Sequence, residues 1–205
     1  MTIYIVIITC IISFWAFKSP EVLSRLICNP YAVKHQREWY RLLTSGLIHA
    51  DWAHLIVNMF VLYSFGGVVE DYYNALFEDK GTWYFLSLYI GGIVASIIPT
   101  YGKHKDNPSY NSLGASGAVA AVMFANILFD PSQKICLYGL LCLPGIVMGI
   151  AYLVYSWYSS RKAADHVNHD AHFWGALYGF AFTLVLQPSL GPHFVHEIFT
   201  IFGSR

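Results

Sequence analysis

Charge is the scarcest commodity in this chain: Asp, Glu, Lys and Arg together supply 12% of its 205 residues, against about 25% in soluble domains. Basic and acidic residues number 12 each, so the formal net charge is zero. That balance excludes the basic surface of a nucleic-acid-binding protein, and no nucleic-acid partner is expected. No CxxC pair suggests a metal or redox site. Cys10, Cys136 and Cys142 lie in apolar segments and Cys28 in a polar one, so all four read as small hydrophobes without a disulfide. The first apolar run, Thr2 to Phe17, lacks both a basic leading segment and a small-residue cleavage site, and reads as a retained span rather than a signal peptide. No internal repeat or low-complexity stretch is apparent.

What is present is apolar. Such residues make up 56% of the chain and the mean hydropathy is +0.48, the composition of a multi-span integral membrane protein. At about 20 residues per span, the length admits six helices and little else. The expected fold is therefore all-α, a polytopic membrane protein of six transmembrane helices forming a single domain over residues 1–205. Its partners are expected in or near the membrane, lipids included.

Along the chain, the polar and aromatic segment from Lys18 to Trp52 suits the headgroup region and reads as an interfacial loop with short amphipathic helices between the first and second spans. The second span is predicted over Ala53 to Val69 and the third over Trp83 to Ile98. A polar loop then leads to the fourth, which begins at Gly114 and stops before Asp130-Pro131. The fifth runs from Ile135 to Trp157 with an interruption at Pro144-Gly145, and the sixth from Ala171 to Leu186, ended by Pro188 and Gly191.

Parity requires the starts of the second, fourth and sixth spans to face one side of the membrane, and those starts hold the polar residues. They are His49, His54 and Asn58, then Ser116, then His172. Polar groups in lipid must find partners, so their gathering at one depth marks a site. Gly117, Ala121 and Ala125 form a stripe of small residues on the fourth span, and Gly175 and Gly179 form GxxxG on the sixth. Such stripes let two backbones approach closely, which would bring Ser116, a nucleophile, to His172, its base. His54 and Asn58, spaced i, i+4, share one helix face. With the Ser116 N–H, which has no intrahelical acceptor at a helix start, they could hold an oxyanion.

On these residues the chain resembles the rhomboid intramembrane serine proteases over most of its length. The family's first motif stands here as Arg41, Thr44, His49, His54 and Asn58, followed by Gly66-Gly67 and Glu70. Its GxSG motif is Gly114-Ala115-Ser116-Gly117, and the motif of its last span is Ala171-His172 with Gly175 and Gly179. The resemblance implies a serine endopeptidase that cleaves transmembrane segments of single-pass membrane proteins. It implies a Ser116–His172 dyad without a third acid, an oxyanion hole from His54, Asn58 and the Ser116 N–H, and no cofactor. Gly114, Arg41, Glu70 and His49 take supporting roles, with Arg41 bracing the interfacial loop. The expected location is the bacterial inner (plasma) membrane. One position departs from the pattern: many members carry an aromatic four residues after the serine, against which the base stacks, and here that position is Ala120. The platform must come from elsewhere, with Phe124, Phe173 and Trp174 as the candidates.

Two other classes compete. His166, His169 and His172, with Asp165 and Asp170 nearby, could bind a metal in a membrane hydrolase. Against this, HExxH is absent, and His196-Glu197 has no second histidine to complete it. The other class is a catalytically weak rhomboid-like scaffold that binds spans without cutting them. Such a protein would be expected to lack the serine or the histidine, and here both remain.

Overall fold

The structure, a computed structural model, describes residues 1–137, 141–162 and 167–203. The long helices are α1 (Thr2–Lys18), α5 (Trp52–Phe77), α6 (Gly81–His104), α7 (Ser116–Phe129), α8 (Gly145–Lys162), α9 (His169–Leu186) and α10 (Leu190–Gly203). Three short helices, α2 (Pro20–Leu26), α3 (Pro30–His35) and α4 (Arg41–Thr44), fill the segment between α1 and α5. Local chemistry explains their starts. Ser19 and Asn29 accept from the N–H groups of Val22 and Ala32, and proline follows each cap, where its missing N–H is no loss.

α7 is the centre of the bundle, with 12 of its 14 residues buried. Its run of glycine and alanine lets α5, α6 and α9 close around it. The direction of each helix follows from paired contacts at its two ends. Glu70 near the end of α5 accepts from the Thr2 N–H at 2.8 Å and the Thr2 hydroxyl at 3.0 Å, and pairs with the Met1 amino group. At the other end, the rings of Phe17 and Trp52 lie 5.0 Å apart, so α1 and α5 are antiparallel. α6 begins against Asn74, where the backbone leaves room for Gly81 alone. It ends against the start of α9, through Thr100 with Asn168 and Lys103 with Asp170. The starts of α5, α7 and α9 thus gather at one end of the bundle, as the parity of the spans requires.

The outside of the bundle is apolar: Phe60 is 69% exposed, Trp83 67% and Val185 77%, an arrangement suited to lipid. Helix length does not yield six clear spans. The stretch from Trp52 to His104, which holds α5 and α6, is long and apolar enough to cross a bilayer. α9 and α10 pass the same test only together, across a bend of 118°. α1 has 17 residues and α7 has 14.

Three expectations are corrected. The third span does not stop at Ile98, because α6 continues through Pro99 to His104. Proline removes one backbone bond from the ladder, and Thr100, buried and bonded to Asn168, secures the turn that follows. The fifth span does not begin at Ile135. Lys134–Leu137 (β1) and Leu141–Pro144 (β2) pair antiparallel, with Cys136 opposite Cys142. The helix starts only at Gly145, so the fold is mostly but not wholly helical. A short apolar run does not by itself separate strand from helix. Cys136 and Cys142 are joined by a disulfide, because the hairpin register sets them face to face; Cys10 and Cys28 are free thiols. The helix of the sixth span does stop at Leu186, just before Pro188, and a separate helix, α10, follows across the bend.

Candidate active site

The approach to α5 is built by side chains bonding to backbone. Asp51 caps the helix by accepting from the His54 N–H at 2.8 Å. His49, 1% exposed, stands in the loop before it. Its Nε2 faces the Ala115 N–H at 3.4 Å and its Nδ1 faces the Ser13 hydroxyl at 3.0 Å. Nε2 must accept there, so Nδ1 carries the hydrogen and donates to Ser13, whose own hydrogen goes to the Leu47 carbonyl at 3.0 Å. One neutral imidazole therefore ties α1, the loop before α5 and the residue preceding Ser116. Burial pushes the His49 pKa down to about 3, with His54 adding to the shift and Asp51 opposing it.

His54 lies one step further in. Its ring stands edge-on to His49, with centroids 4.9 Å apart, and covers Gly114, where a Cβ would sit 2.6 Å from the ring. Gly114 also has φ +117°, a conformation open to glycine and strained for other residues. The residue is thus required twice, by backbone and by space, and its N–H donates to the Ser45 carbonyl at 2.9 Å. Asn58 is buried, and its side-chain amide donates to the His54 carbonyl at 2.9 Å. That bond takes one of its two N–H groups.

Ser116 is the first residue of α7, immediately after this glycine turn. α9 crosses α7 at close range: a Cβ on Gly175 would lie 2.1 Å from the Gly117 carbonyl oxygen, and one on Gly179 would lie 2.0 Å from that of Ala121. The paired stripes of small residues meet as expected. A Cβ on Gly117 would in turn come within 3.3 Å of the Ala171 carbonyl. The neighbour of Ser116 therefore packs on the neighbour of His172. Ser116 and Ala171 share a small pocket of about 20 Å³ with the polar Ser45, Ser96, Ser112 and Asn168 and the apolar Ile93, Ile97 and Leu113.

Asn168 caps α9 by accepting from the Ala171 N–H at 3.1 Å, while its amide donates to the hydroxyls of Thr100 and Ser112, both at 3.0 Å. It joins α6, the loop before Ser116 and the helix carrying His172. Its sequence signal is an Asn four residues before the histidine at a helix start, and the motif reading missed it.

His172 has its aromatic neighbour, from a helix the sequence did not suggest. Tyr152 of α8 lies against it with ring centroids 5.9 Å apart and planes 21° from parallel. Ala120 is 2% exposed and packs in one cluster with Phe124, Ile127 and Ala176, against which Tyr152 also packs. Of the three candidates, Phe124 meets Tyr152, with ring centroids 6.0 Å apart. Phe173 and Trp174 contact each other. His169 stands edge-on to His172 at 5.6 Å.

Arg41 and Glu70 lie away from this centre. Arg41 is buried among the short helices, donating to the carbonyls of Ser24 at 2.6 Å and Ile27 at 2.8 Å and pairing with Glu38. The loop it organises is joined to the segment before Ser116 by two backbone bonds between Cys28 and Ser112, at 3.0 and 2.9 Å. Glu70 is 12 residues beyond Asn58, about 18 Å along the helix, and anchors the start of α1. Asp165 and His166 of the alternative metal cluster lie outside the described residues. Among the described residues no group of three metal-ligating side chains occurs.

The Rhomboid domain family matches residues 36–189, a range that contains Ser116, His172, His54 and Asn58. Rhomboid protease GluP of Bacillus subtilis is 31% identical over 71% of this chain and 25% of its own length. Putative rhomboid protease YdcA of the same bacterium is 29% identical over 70% of this chain and 65% of its own length. Rhomboid-like protein 11, chloroplastic, of Arabidopsis thaliana is 28% identical over 73% of this chain. The chain spans 53% of that relative and 35% of the presenilin-associated rhomboid-like protein A, mitochondrial, of Danio rerio. Relatives thus come from chloroplast, mitochondrion and bacteria, which gives the bacterial inner membrane no preference. With three-quarters of its length matched, the chain belongs to the rhomboid family.

Proposed function

We propose that this chain is an intramembrane serine endopeptidase that cuts transmembrane segments of single-pass membrane proteins, working as a single domain whose six spans are α1, α5, α6, α7, α8 and α9. The observation that carries the proposal is the crossing of α7 and α9 at Gly117 and Gly175, which sets Ser116 beside the turn of α9 that holds His172. A helix of 14 residues is about 21 Å long, shorter than the roughly 30 Å hydrocarbon core. Its two ends cannot both reach the membrane surfaces, and in this reading the serine end is the one that lies below.

In this mechanism the Ser116 hydroxyl attacks the scissile carbonyl while His172 takes its proton. The oxyanion is met by the Ser116 N–H, the remaining N–H of Asn58 and the ring of His54. His172 returns the proton to the leaving amine, and water hydrolyses the acyl-enzyme. The pocket shared by Ser116 and Asn168 is large enough for about one water, and four serines are among the residues that line it. A peptide bond inside a helix is shielded, so substrates with small or helix-breaking residues near the cut are preferred. No cofactor takes part.

The test is labelling with a fluorophosphonate, combined with cleavage of a panel of single-pass substrates, using Ser116→Ala as control and a chelator in a parallel arm. Labelling and cleavage that vanish in the variant and ignore the chelator support the dyad. Labelling that survives Ser116→Ala overturns the nucleophile, and loss of activity with the chelator favours a metal. A wild type that neither labels nor cleaves is a rhomboid-like scaffold; several relatives carry names that say only rhomboid-like.

A further inference from the structure

Beside the site, a pocket of about 510 Å³ opens where α6 and α8 end and α9 begins, lined by Lys103, Trp157, Arg161, Asp170, Phe173 and Trp174. Its charges are unequal in their engagement. Lys103 pairs with Asp170 at 3.2 Å, which neutralises the one carboxylate. Arg161 has no carboxylate partner among the described residues; its guanidinium lies 4.0 Å over the ring of Trp157. Lys162, next in sequence, lies 4.4 Å over Tyr158. The pocket therefore carries net positive charge held against aromatic faces, which leaves the edge of the guanidinium fork open to a further acceptor.

The rim repeats the chemistry of a membrane interface. Trp157 and Trp174 are 48% and 41% exposed, and tryptophan collects where the acyl region meets the headgroups. Three helix ends meet at this level, each with polar or basic residues, in a bundle whose sides are apolar. A planar guanidinium beside tryptophan at that depth matches a phosphodiester with an acyl chain below it.

We propose that this pocket binds the headgroup of an anionic phospholipid, with Arg161 on the phosphate, Trp157 and Trp174 flanking the glycerol region, and the Lys103–Asp170 pair closing the far wall. The bound lipid sits against Phe173 and Trp174, the two residues after His172, and so forms part of the wall of the site on its lipid side.

Native mass spectrometry of the detergent-solubilised protein, offered equimolar phosphatidylglycerol and phosphatidylcholine of the same chain length, reads the selectivity directly and requires no proteolytic activity. Wild type should retain phosphatidylglycerol preferentially as one bound molecule. Arg161→Gln should cut that preference about fivefold, the loss expected for one basic residue near an anionic surface, and Arg25→Gln on α2 should leave it unchanged. Equal retention of the two lipids, or an undiminished preference in Arg161→Gln, overturns the proposal. So does an acidic peptide that displaces phosphatidylglycerol at lower concentration than the lipid itself, which would assign the pocket to a protein segment.

Discussion

Tyr152 of α8 lies roughly parallel to His172 of α9, ring centroids 5.9 Å apart and planes inclined by 21°, and it packs against the cluster that contains Ala120. In the proposed dyad, a base held on one side by a ring keeps fewer orientations, and proton transfer depends on orientation. Tyr152→Ala should slow fluorophosphonate labelling of Ser116 by about 10- to 100-fold, whereas Tyr152→Phe should stay near wild type. Adding Ala120→Tyr to Tyr152→Ala should restore part of the rate. A Tyr152→Ala variant that labels at the wild-type rate would show that the contact does not position the proposed base.

The crossing of α7 and α9 tolerates no side chain. Gly175→Ala and Gly179→Ala each place a methyl within about 2 Å of a carbonyl oxygen, so the helices must separate. Overpacking of this kind lowers stability by about 1–3 kcal/mol, and labelling of Ser116 should fall with it. Gly67→Ala is the matched control, since nothing lies within 4 Å of a Cβ there. Thermal melting in detergent distinguishes them.

Arg41 satisfies two backbone carbonyls and a carboxylate inside the interfacial loop. Arg41→Ala leaves these buried groups without a donor, a loss of about 2–4 kcal/mol. Arg41→Lys cannot reproduce the fork and should recover only part of it. Because Cys28 and Ser112 bond the loop to the segment before Ser116, limited proteolysis between α1 and α5 should rise in parallel with loss of labelling.

Acid should unfold the protein in part through His49. Its pKa is lowered from 6.5 to about 3 in the folded state, chiefly by burial, so below pH 6.5 the unfolded chain binds a proton that the folded chain refuses. Stability from this residue is complete above pH 6.5 and is lost progressively as pH falls toward 3. Melting temperatures between pH 7 and pH 4 should fall more steeply in wild type than in His49→Asn. Equal slopes would remove His49 from the acid response.

Asn168→Ala should reduce stability by about 1–2 kcal/mol as a lost cap, and it also leaves Thr100 and Ser112 without their shared partner. Asn168→Asp keeps the cap but loses the two donated bonds. If the network positions His172, labelling should fall in both variants, whereas a purely structural cap would spare the aspartate variant.

Much of the architecture was legible in the order of residues. Long apolar runs demand helices in lipid, because no water is present to satisfy an exposed backbone. Span parity then assigned the starts of α5, α7 and α9 to one end. The glycines of α7 and α9 announced a close crossing, since only small residues permit it. Gly114, Asp51 and the caps of α2 and α3 were local rules written in local sequence.

The remainder depended on which surfaces meet in space. No spacing rule places Tyr152 on His172, because the two residues lie on different helices and the contact depends on how α8 leans. The hairpin over Lys134–Pro144 was hidden in an apolar run that suits helix or strand, and its disulfide exists only because the register sets Cys136 against Cys142. The pairing of Glu70 with Thr2, and the chain from Ala115 through His49 and Ser13 to Leu47, likewise needed the packed bundle. Sequence alone determined most of the long helices and which residue types stand at their starts, since hydropathy and caps act over neighbouring residues. Tertiary packing alone decided which ring supports His172 and which carbonyl each buried donor finds, because those partners are brought together only when the helices close around α7.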